Sequence, residues 1–369
     1  MGDRPVSIGV ANTSWWADLM YMPAFKNHPD ANVVAVCGRD PERTRAFAEK
    51  WDIPHYFTDF DAMVDSGLVD AVFIGTINKY HHPMTMKALD AGLHVLCEKP
   101  LAMNVAEAQA MHDKAVSVGT KCMATFTYRF MPTARYVKRL LDEGYIGKPY
   151  QLNLRYYTGT ARAAGYEWRF DMAQAGAGMV GDIGSHFIYL AQWYYGEIES
   201  VMCMLGYHIE RADRPDGVDY ERGDDSASIL LQFKNGAQGV VVATAVGYED
   251  TPLGQTHHME LHGSEGTLYS FIDWDTIQQV RGARVGEGMI KELPIPDDIW
   301  GSVRHDTVMN TYKDTFHQEN HMARGWVTSI VEDAIPEPTF AEALHVQKVI
   351  AACQVSAKEG RRVYVDDMV

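Results

Sequence analysis

His94-Val95-Leu96-Cys97-Glu98-Lys99-Pro100 is the stretch from which the rest of the chain is read. Three apolar residues after a turn at Gly92, closed by a proline that has no amide to give a ladder, predict a short buried strand with Glu and Lys at its carboxyl end. Charges at such a place are either solvated or working. In an open parallel sheet the carboxyl ends of the strands form the ligand crevice, which puts this lysine where a substrate binds. A lone Lys-Pro would read more simply as a surface lysine in a loop, so the decision rests on what accompanies it.

Ala88-Leu89-Asp90-Ala91-Gly92 precedes the strand, and Asp182-Ile183-Gly184-Ser185-His186 follows far downstream. The i, i+4 spacing predicts one helix that turns Asp182 and His186 to the same side. An Asp-His pair four apart is also a common surface pairing. Taken together, the two motifs resemble the glucose-fructose oxidoreductase / inositol dehydrogenase / rhizopine-catabolism (Gfo/Idh/MocA) family, over nearly the whole chain. The resemblance implies an α/β protein: an N-terminal Rossmann dinucleotide-binding domain at 1–127, and a C-terminal α+β domain at 128–369 with a large open, mostly antiparallel sheet. It further implies a C-terminal helix at about 340–358 packed back on the first domain, a catalytic set of Lys99, Asp182 and His186, and a homo-oligomer built on the open sheet face.

Composition sets the bounds. A chain of 369 residues is long for one core and predicts two domains. Its 49 acidic against 33 basic residues, a net charge of −16, argue against nucleic acid or an anionic membrane as partner. The five cysteines have no CxxC pair and sit mostly in apolar runs, which predicts buried free thiols and a reducing compartment. With no apolar signal region and no run near the length of a membrane span, the expected location is cytoplasmic.

Val6 to Val10 is an apolar strand followed by Asn12-Thr13-Ser14 and a helical pattern from about Ala17 to Asn27, the context of a dinucleotide fingerprint. The glycine positions hold Gly9, Ala11 and Ser14; Ala11 still allows close backbone approach to a pyrophosphate, and the turn Asn12-Thr13-Ser14 adds hydroxyl donors to the helix N-terminus. Of Trp15 and Trp16, one either walls the cofactor pocket or packs in the core. At the end of the next strand, Gly38 and Arg39 favour the 2′-phosphate of NADP, while Asp40 keeps NAD open by reaching a ribose hydroxyl. Asp40 also suits an N-cap before Pro41. The preference leans to NADP.

Val69 to Thr76 reads as a buried parallel strand. Its exit resembles the family's Thr-Pro-Asn-x-x-His turn, which implies that Thr76, Asn78 and His81 line the nicotinamide side; Glu98 and Lys99 join the cofactor contacts. The adjacent His81 and His82 lack a third ligand at metal spacing, and no metal site is expected. Tyr128 and Arg129 resemble the family's crossover, though Arg129 can equally be a structural anchor. Residues 158–177 form a long loop with Arg162, Trp168 and Arg169, and Trp168-Arg169 resembles a pair that closes over cofactor and substrate. Lys99, Tyr128, Arg129, Arg162, Trp168, Asp182 and His186 are the expected substrate contacts. Beyond Gly196 the chain reads as strands near Ser200-Tyr207, Ser226-Phe233, Gln238-Val246, His257-His262 and Gly266-Phe271, with an exposed charged loop at 209–224. Helices at about Tyr312-Glu332 and Phe340-Lys358 finish it.

The resemblance implies hydride transfer between nicotinamide and a secondary alcohol carbon of a sugar, sugar derivative or cyclic polyol. His186 would be the acid/base, Lys99 the proton relay and alkoxide stabiliser, and Asp182 the orienting carboxylate. Two other readings stay open at this point: a glycoside hydrolase that oxidises C3 transiently, and a dinucleotide-binding sensor without chemistry.

Overall fold

The computed structural model describes residues 4–248, 251 and 253–369. Two compact units emerge, Met1–Thr125 with Lys313–Leu344, and Phe126–Tyr312 with His345–Val369.

In the first unit six parallel strands form one sheet: β1 (Val6–Ala11), β2 (Ala31–Cys37), β3 (His55–Phe57), β4 (Ala71–Ile74), β5 (His94–Cys97) and β6 (Cys122–Ala124). Their order is β3-β2-β1-β4-β5-β6. The order reverses between β1 and β4, and that reversal opens a crevice at the carboxyl edge. All four residues of β4 are buried, as a strand covered on both faces requires. The helix Val105–Val118 that follows β5 is specified at both ends. Asn104 accepts from the Glu107 amide at 2.9 Å, Glu107 accepts from the Met103 amide at 3.1 Å, and Gly119 ends the helix at φ 72°.

The segment Lys313–Leu344 lies outside the expected 1–127 boundary, and one side chain shows why it joins this unit. Trp326 is fully buried, its indole donates to the Lys121 carbonyl at 3.0 Å, and its ring packs on Phe25. The helix expected over Tyr312-Glu332 is two helices, Val308–His317 and Ala323–Val331. Between them Met322 takes φ 45°, a left-handed turn that no continuous helix accommodates.

The second unit is built on β7 (Pro149–Thr158), β8 (Ile198–Gly206), β9 (Ser226–Phe233), β10 (Gln238–Thr244), β11 (Gln255–Gly263), β12 (Gly266–Asp273), β13 (Ile277–Arg284), β14 (Lys291–Glu292) and β15 (Val363–Tyr364). Their order is β14-β13-β12-β11-β7-β10-β9-β8-β15, antiparallel except for the parallel pair β7–β10. β7 alternates buried Leu152, Leu154 and Tyr156 with outward Asn153, Arg155 and Tyr157. The helix Gly184–Tyr195 covers the inner face, with Phe187, Ile188, Leu190 and Ala191 fully buried. Burial of each of the three large side chains contributes about 1.5–3 kcal/mol, an upper bound given a compact unfolded state. Sequence periodicity misses β13, because Ile277–Arg284 is a polar outer strand with only Val280 and Gly282 buried.

On β11 the outward His258, Glu260 and His262 are each taken up locally. His258 meets Arg155, Glu260 accepts from Asn153 at 3.1 Å, and His262 meets Thr267 at 3.0 Å. Among the described residues no group of three or more His, Cys, Asp or Glu gathers as a metal set, and no helix is long and apolar enough to cross a membrane.

Candidate active site

Each unit carries part of the candidate set. In the first unit the carboxyl ends of β1, β2, β4 and β5 bring Asn12–Ser14, Gly38–Asp40, Thr76–Asn78 and Glu98–Lys99 to one sheet edge. The turn after β1 is ordered from within: Asn12 accepts from the Ser14 amide at 2.5 Å and donates to the Gly75 carbonyl. It is half-buried and offers the hydroxyls of Thr13 and Ser14 at the strand-order reversal, a donor set that fits a dinucleotide pyrophosphate. Gly9, by contrast, is a packing glycine. A Cβ there would stand 3.1–3.2 Å from Met63 and Val69. Gly38 is required for close approach, since its Cβ would meet Thr44 Oγ1 at 2.5 Å.

Asp40 caps the helix Pro41–Lys50, accepting from the Arg43 amide at 3.0 Å. Arg43, which the sequence reading passed over, returns its guanidinium to the Thr13 carbonyl at 2.8 and 3.1 Å, tying the end of β2 to the turn after β1. Arg39 is exposed beside it. Trp15 is 67% exposed, which removes the core-packing alternative.

Three expected cofactor contacts are buried in the first unit. Glu98 is 8% exposed and both carboxylate oxygens are occupied: one by Trp16 Nε1 at 2.9 Å and the Tyr21 hydroxyl, the other by Thr125 Oγ1 at 2.7 Å and the Lys99 amide at 3.2 Å. It anchors the end of β5 and leaves the half-buried Lys99 as the residue at the edge. His81 is fully buried, with ring nitrogens facing the carbonyls of Pro100 at 2.9 Å and Thr76 at 3.1 Å. Burial pushes its pKa below the ordinary histidine range, and a neutral ring donates to one of these two carbonyls only. Asn78 is 6% exposed and lies under the same turn.

In the second unit the expected single helix is broken. Asp182 ends the short helix Met179–Asp182, and after Ile183 a second helix, Gly184–Tyr195, carries His186 in its first turn. Arg169 Nε lies 3.4 Å from Asp182 Oδ2, and its guanidinium sits 4.8 Å over the Trp168 ring. The long loop thus delivers Arg169 to Asp182, with Trp168 against its guanidinium, and it contains a short helix of its own, Met172–Ala175.

The His186 ring packs against Tyr128, with centroids 4.5 Å apart, and edge-on to Phe126 at 6.2 Å. Tyr128 turns its hydroxyl inward, to Tyr156 at 2.9 Å and Gln255 at 3.3 Å, and its ring supports the imidazole plane. Arg129 is half-buried. It donates to the Tyr189 hydroxyl at 2.5 Å, with the Trp193 ring 4.8 Å from its guanidinium. Arg162 is exposed and bonded to the Val246 carbonyl at 3.1 Å.

Behind Tyr128 lies His257, fully buried among Tyr128, Tyr156, Phe187 and Trp274. Burial pushes its pKa down from 6.5 to about 3, so it folds neutral. Below pH 6.5 the unfolded chain takes a proton there that the folded chain refuses, and stability falls as pH drops toward 3. Replacing His257 by Gln should remove one group's share of that slope, roughly 1.4 kcal/mol per pH unit. Urea unfolding at several pH values reads it, and an unchanged slope would refute the assignment.

The sequence reading also missed a strap. The loop at 209–224 is exposed over most of its length, as expected, but a buried ion pair anchors it: Arg211 donates to Asp225, the two side chains are 1% and 2% exposed, and Arg211 stacks 3.3 Å from the Phe170 centroid. Arg214 reaches the fully buried Asp171 at 3.2 Å. Asp224 accepts from the amides of Gly178 at 3.2 Å and Val180 at 2.8 Å, and burial pushes its pKa up to about 7. A sequence of charged residues signals solvent exposure; only the fold supplies the partners that bury them.

Comparison with known proteins bears on the whole arrangement. The family model for the oxidoreductase family with NAD-binding Rossmann fold matches residues 7–126, and the GFO/IDH/MocA C-terminal domain model matches 134–269. The chain belongs to the Gfo/Idh/MocA family. Among Gfo/Idh/MocA relatives, D-apiose dehydrogenase of Paraburkholderia graminis is 25% identical over 344 residues, covering 93% of this chain and 85% of that protein. Levoglucosan dehydrogenase of Pseudarthrobacter phenanthrenivorans is 30% identical over 247 residues, 62% of each chain. A solved levoglucosan dehydrogenase in complex with NADH and levoglucosan superposes with a TM-score of 0.87 at 22% identity, over 98% of this chain and all of that one. The two-unit Gfo/Idh/MocA architecture is therefore shared over nearly the full length.

Proposed function

We propose that the protein is an NAD(P)-dependent dehydrogenase that moves a hydride between nicotinamide and a secondary alcohol carbon of a sugar, sugar derivative or cyclic polyol. The observation that carries the reading is Lys99 at the carboxyl edge of the Rossmann sheet, in a family whose relatives include D-apiose and levoglucosan dehydrogenases. Asn12, Thr13, Ser14 and Arg39 hold the dinucleotide, which when bound supplies the hydride acceptor or donor. His186 takes the proton from the substrate hydroxyl and returns it in the reverse direction. Lys99 holds its ammonium against the developing alkoxide and relays the proton. Asp182, paired with Arg169, orients the substrate hydroxyls. The buried thiols suit a reducing compartment, so we place the enzyme in the cytoplasm, as a homo-oligomer through the open face of the β7–β13 sheet.

NADP is the preferred cofactor on this reading. Support comes from the end of β2, where Gly38 and Arg39 stand in place of an acidic residue and Asp40 is engaged as a helix cap. Replacing Arg39 by Ala should raise the Kd for NADPH about tenfold and change that for NADH little, as loss of one phosphate contact implies. Fluorescence titration with both nucleotides checks it, and equal weakening of the two would sink the preference.

The reading itself is tested by incubating the protein with NADP or NAD and a panel of sugars, cyclic polyols and glycosides that includes D-apiose and levoglucosan. Reduced nicotinamide should accumulate with at least one compound. Glycoside cleavage without net reduced cofactor would replace the reading with a redox-neutral hydrolase, and nucleotide binding without turnover anywhere on the panel would replace it with a sensor.

A further inference from the structure

We infer that Asp224 is a positioning residue for the reaction: its buried carboxylate, bonded to the amides of Gly178 and Val180, sets where the short helix Met179–Asp182 presents Asp182. The inference rests on the dehydrogenase reading above.

Four observations carry it, all within the second unit. First, the helix that ends in Asp182 is only four residues long, far below the length at which a helix holds itself in water, so its direction is imposed from outside. Second, the imposition comes from one residue of the strap. Asp224 accepts from Gly178 N and Val180 N through its side chain, and from Met179 N at 2.9 Å through its carbonyl. Three consecutive amides at the start of the helix are thus spent on Asp224. Third, the two segments touch too closely for any side chain between them. A Cβ on Gly178 would stand 2.2 Å from Asp224 N, and one on Gly223 would stand 2.7 Å from Gly178 Cα. Fourth, the same strap grips the other member of the ion pair. Gly223 N donates to the Phe170 carbonyl at 2.8 Å, Met172 N donates to the Glu221 carbonyl at 3.0 Å, and Asp171 pairs with Arg222 as an isolated bridge. Phe170 directly follows Arg169 and is stacked by Arg211. One strap therefore sets both Arg169 and Asp182, and their 3.4 Å pairing follows from it.

A carboxylate suits this task better than an amide. Two backbone N–H groups converge on two oxygens of one group, whereas asparagine would present an NH₂ to one of them. Asp224 is 3% exposed, so an unmatched donor there meets no water. Displacing Asp182 by a fraction of an ångström degrades substrate orientation without touching the Rossmann unit.

The test is a double-mutant cycle on the intact protein, read with the panel sugar that turns over fastest. Asp224→Asn and Asp224→Ala should lower kcat, by about tenfold and by up to about 100-fold respectively. The Kd for NADPH and NADH should stay within about twofold in both. In an Asp182→Asn background, Asp224→Asn should cause no further loss of kcat, because it acts through Asp182. Multiplying losses in the double variant, wild-type kcat in folded Asp224→Ala, or a parallel loss of nucleotide affinity would each overturn the inference. Should Asp224→Ala fail to fold, the Asp224→Asn cycle alone decides. An Asp182→Asn single variant with unchanged kcat is a different result: it removes the orienting role of Asp182 and overturns the inference, while the dehydrogenase reading carried by Lys99 stands.

Discussion

Replacing Lys99 by Met is expected to lower turnover by about 10²–10⁴-fold, and replacing His186 by Ala by a similar factor, the usual range for losing a positioned acid/base or charge-stabilising group. The Kd for the dinucleotide should change by less than about tenfold, or 1.4 kcal/mol, in either variant. The reason for the split is local. Lys99 stands one residue beyond Glu98, whose carboxylate is held by Trp16, Tyr21 and Thr125, so the strand end keeps its place whatever side chain follows. His186 is gripped by the rings of Tyr128 and Phe126, and its loss leaves the Rossmann unit untouched. Steady-state kinetics with fluorescence titration of NADPH and NADH separates the two quantities. A loss of cofactor affinity as large as the loss of turnover, in both variants, would show that neither group has the assigned role.

The second large effect concerns stability. Asp225→Ala should destabilise the second unit by about 3–5 kcal/mol, because it leaves the Arg211 guanidinium buried without its counter-charge. Two backbone amides, His208 N at 2.7 Å and Ile209 N at 2.8 Å, also lose their acceptor. Removing both charges is a milder change: Arg211→Met with Asp225→Leu should recover part of the loss, since it leaves no buried unpaired charge, while the two amides remain without an acceptor. Urea unfolding followed by tryptophan fluorescence compares the three proteins. If Asp225→Ala costs under about 1 kcal/mol, the range for an exposed pair, then the ion pair is solvated and the strap is not held as described.

These two expectations differ in how they could be reached. The first needs little beyond the sequence. A strand read from Val95-Leu96-Cys97, a proline after Lys99 and an Asp-His pair downstream are local signals, and the parallel sheet with β5 between β4 and β6 agrees with them. The alternating burial of β7 and β11 is a signal of the same kind, since a period of two is written residue by residue. The second expectation was out of reach. Arg211 and Asp225 are 14 residues apart, and Asp224 meets Gly178 across 46. A charged stretch looks the same whether water or a guanidinium receives it.

The site shows the same division within a few residues. Sequence alone singled out Lys99, Asp182 and His186 as candidates and gave the strand ends at the Rossmann sheet edge, because residue type, spacing and periodicity are properties of neighbours along the chain. It could not separate a residue that lines the edge from one beneath it. Glu98 and His81 belong to the same motifs as Lys99 and Thr76, yet their polar atoms turn inward to Trp16, Tyr21, Thr125 and Pro100. Tyr128 and Arg129 turn inward as well, to Tyr156 and Tyr189. Which way such a side chain faces depends on where a buried donor or acceptor finds its partner, and those partners are brought together only when distant segments pack.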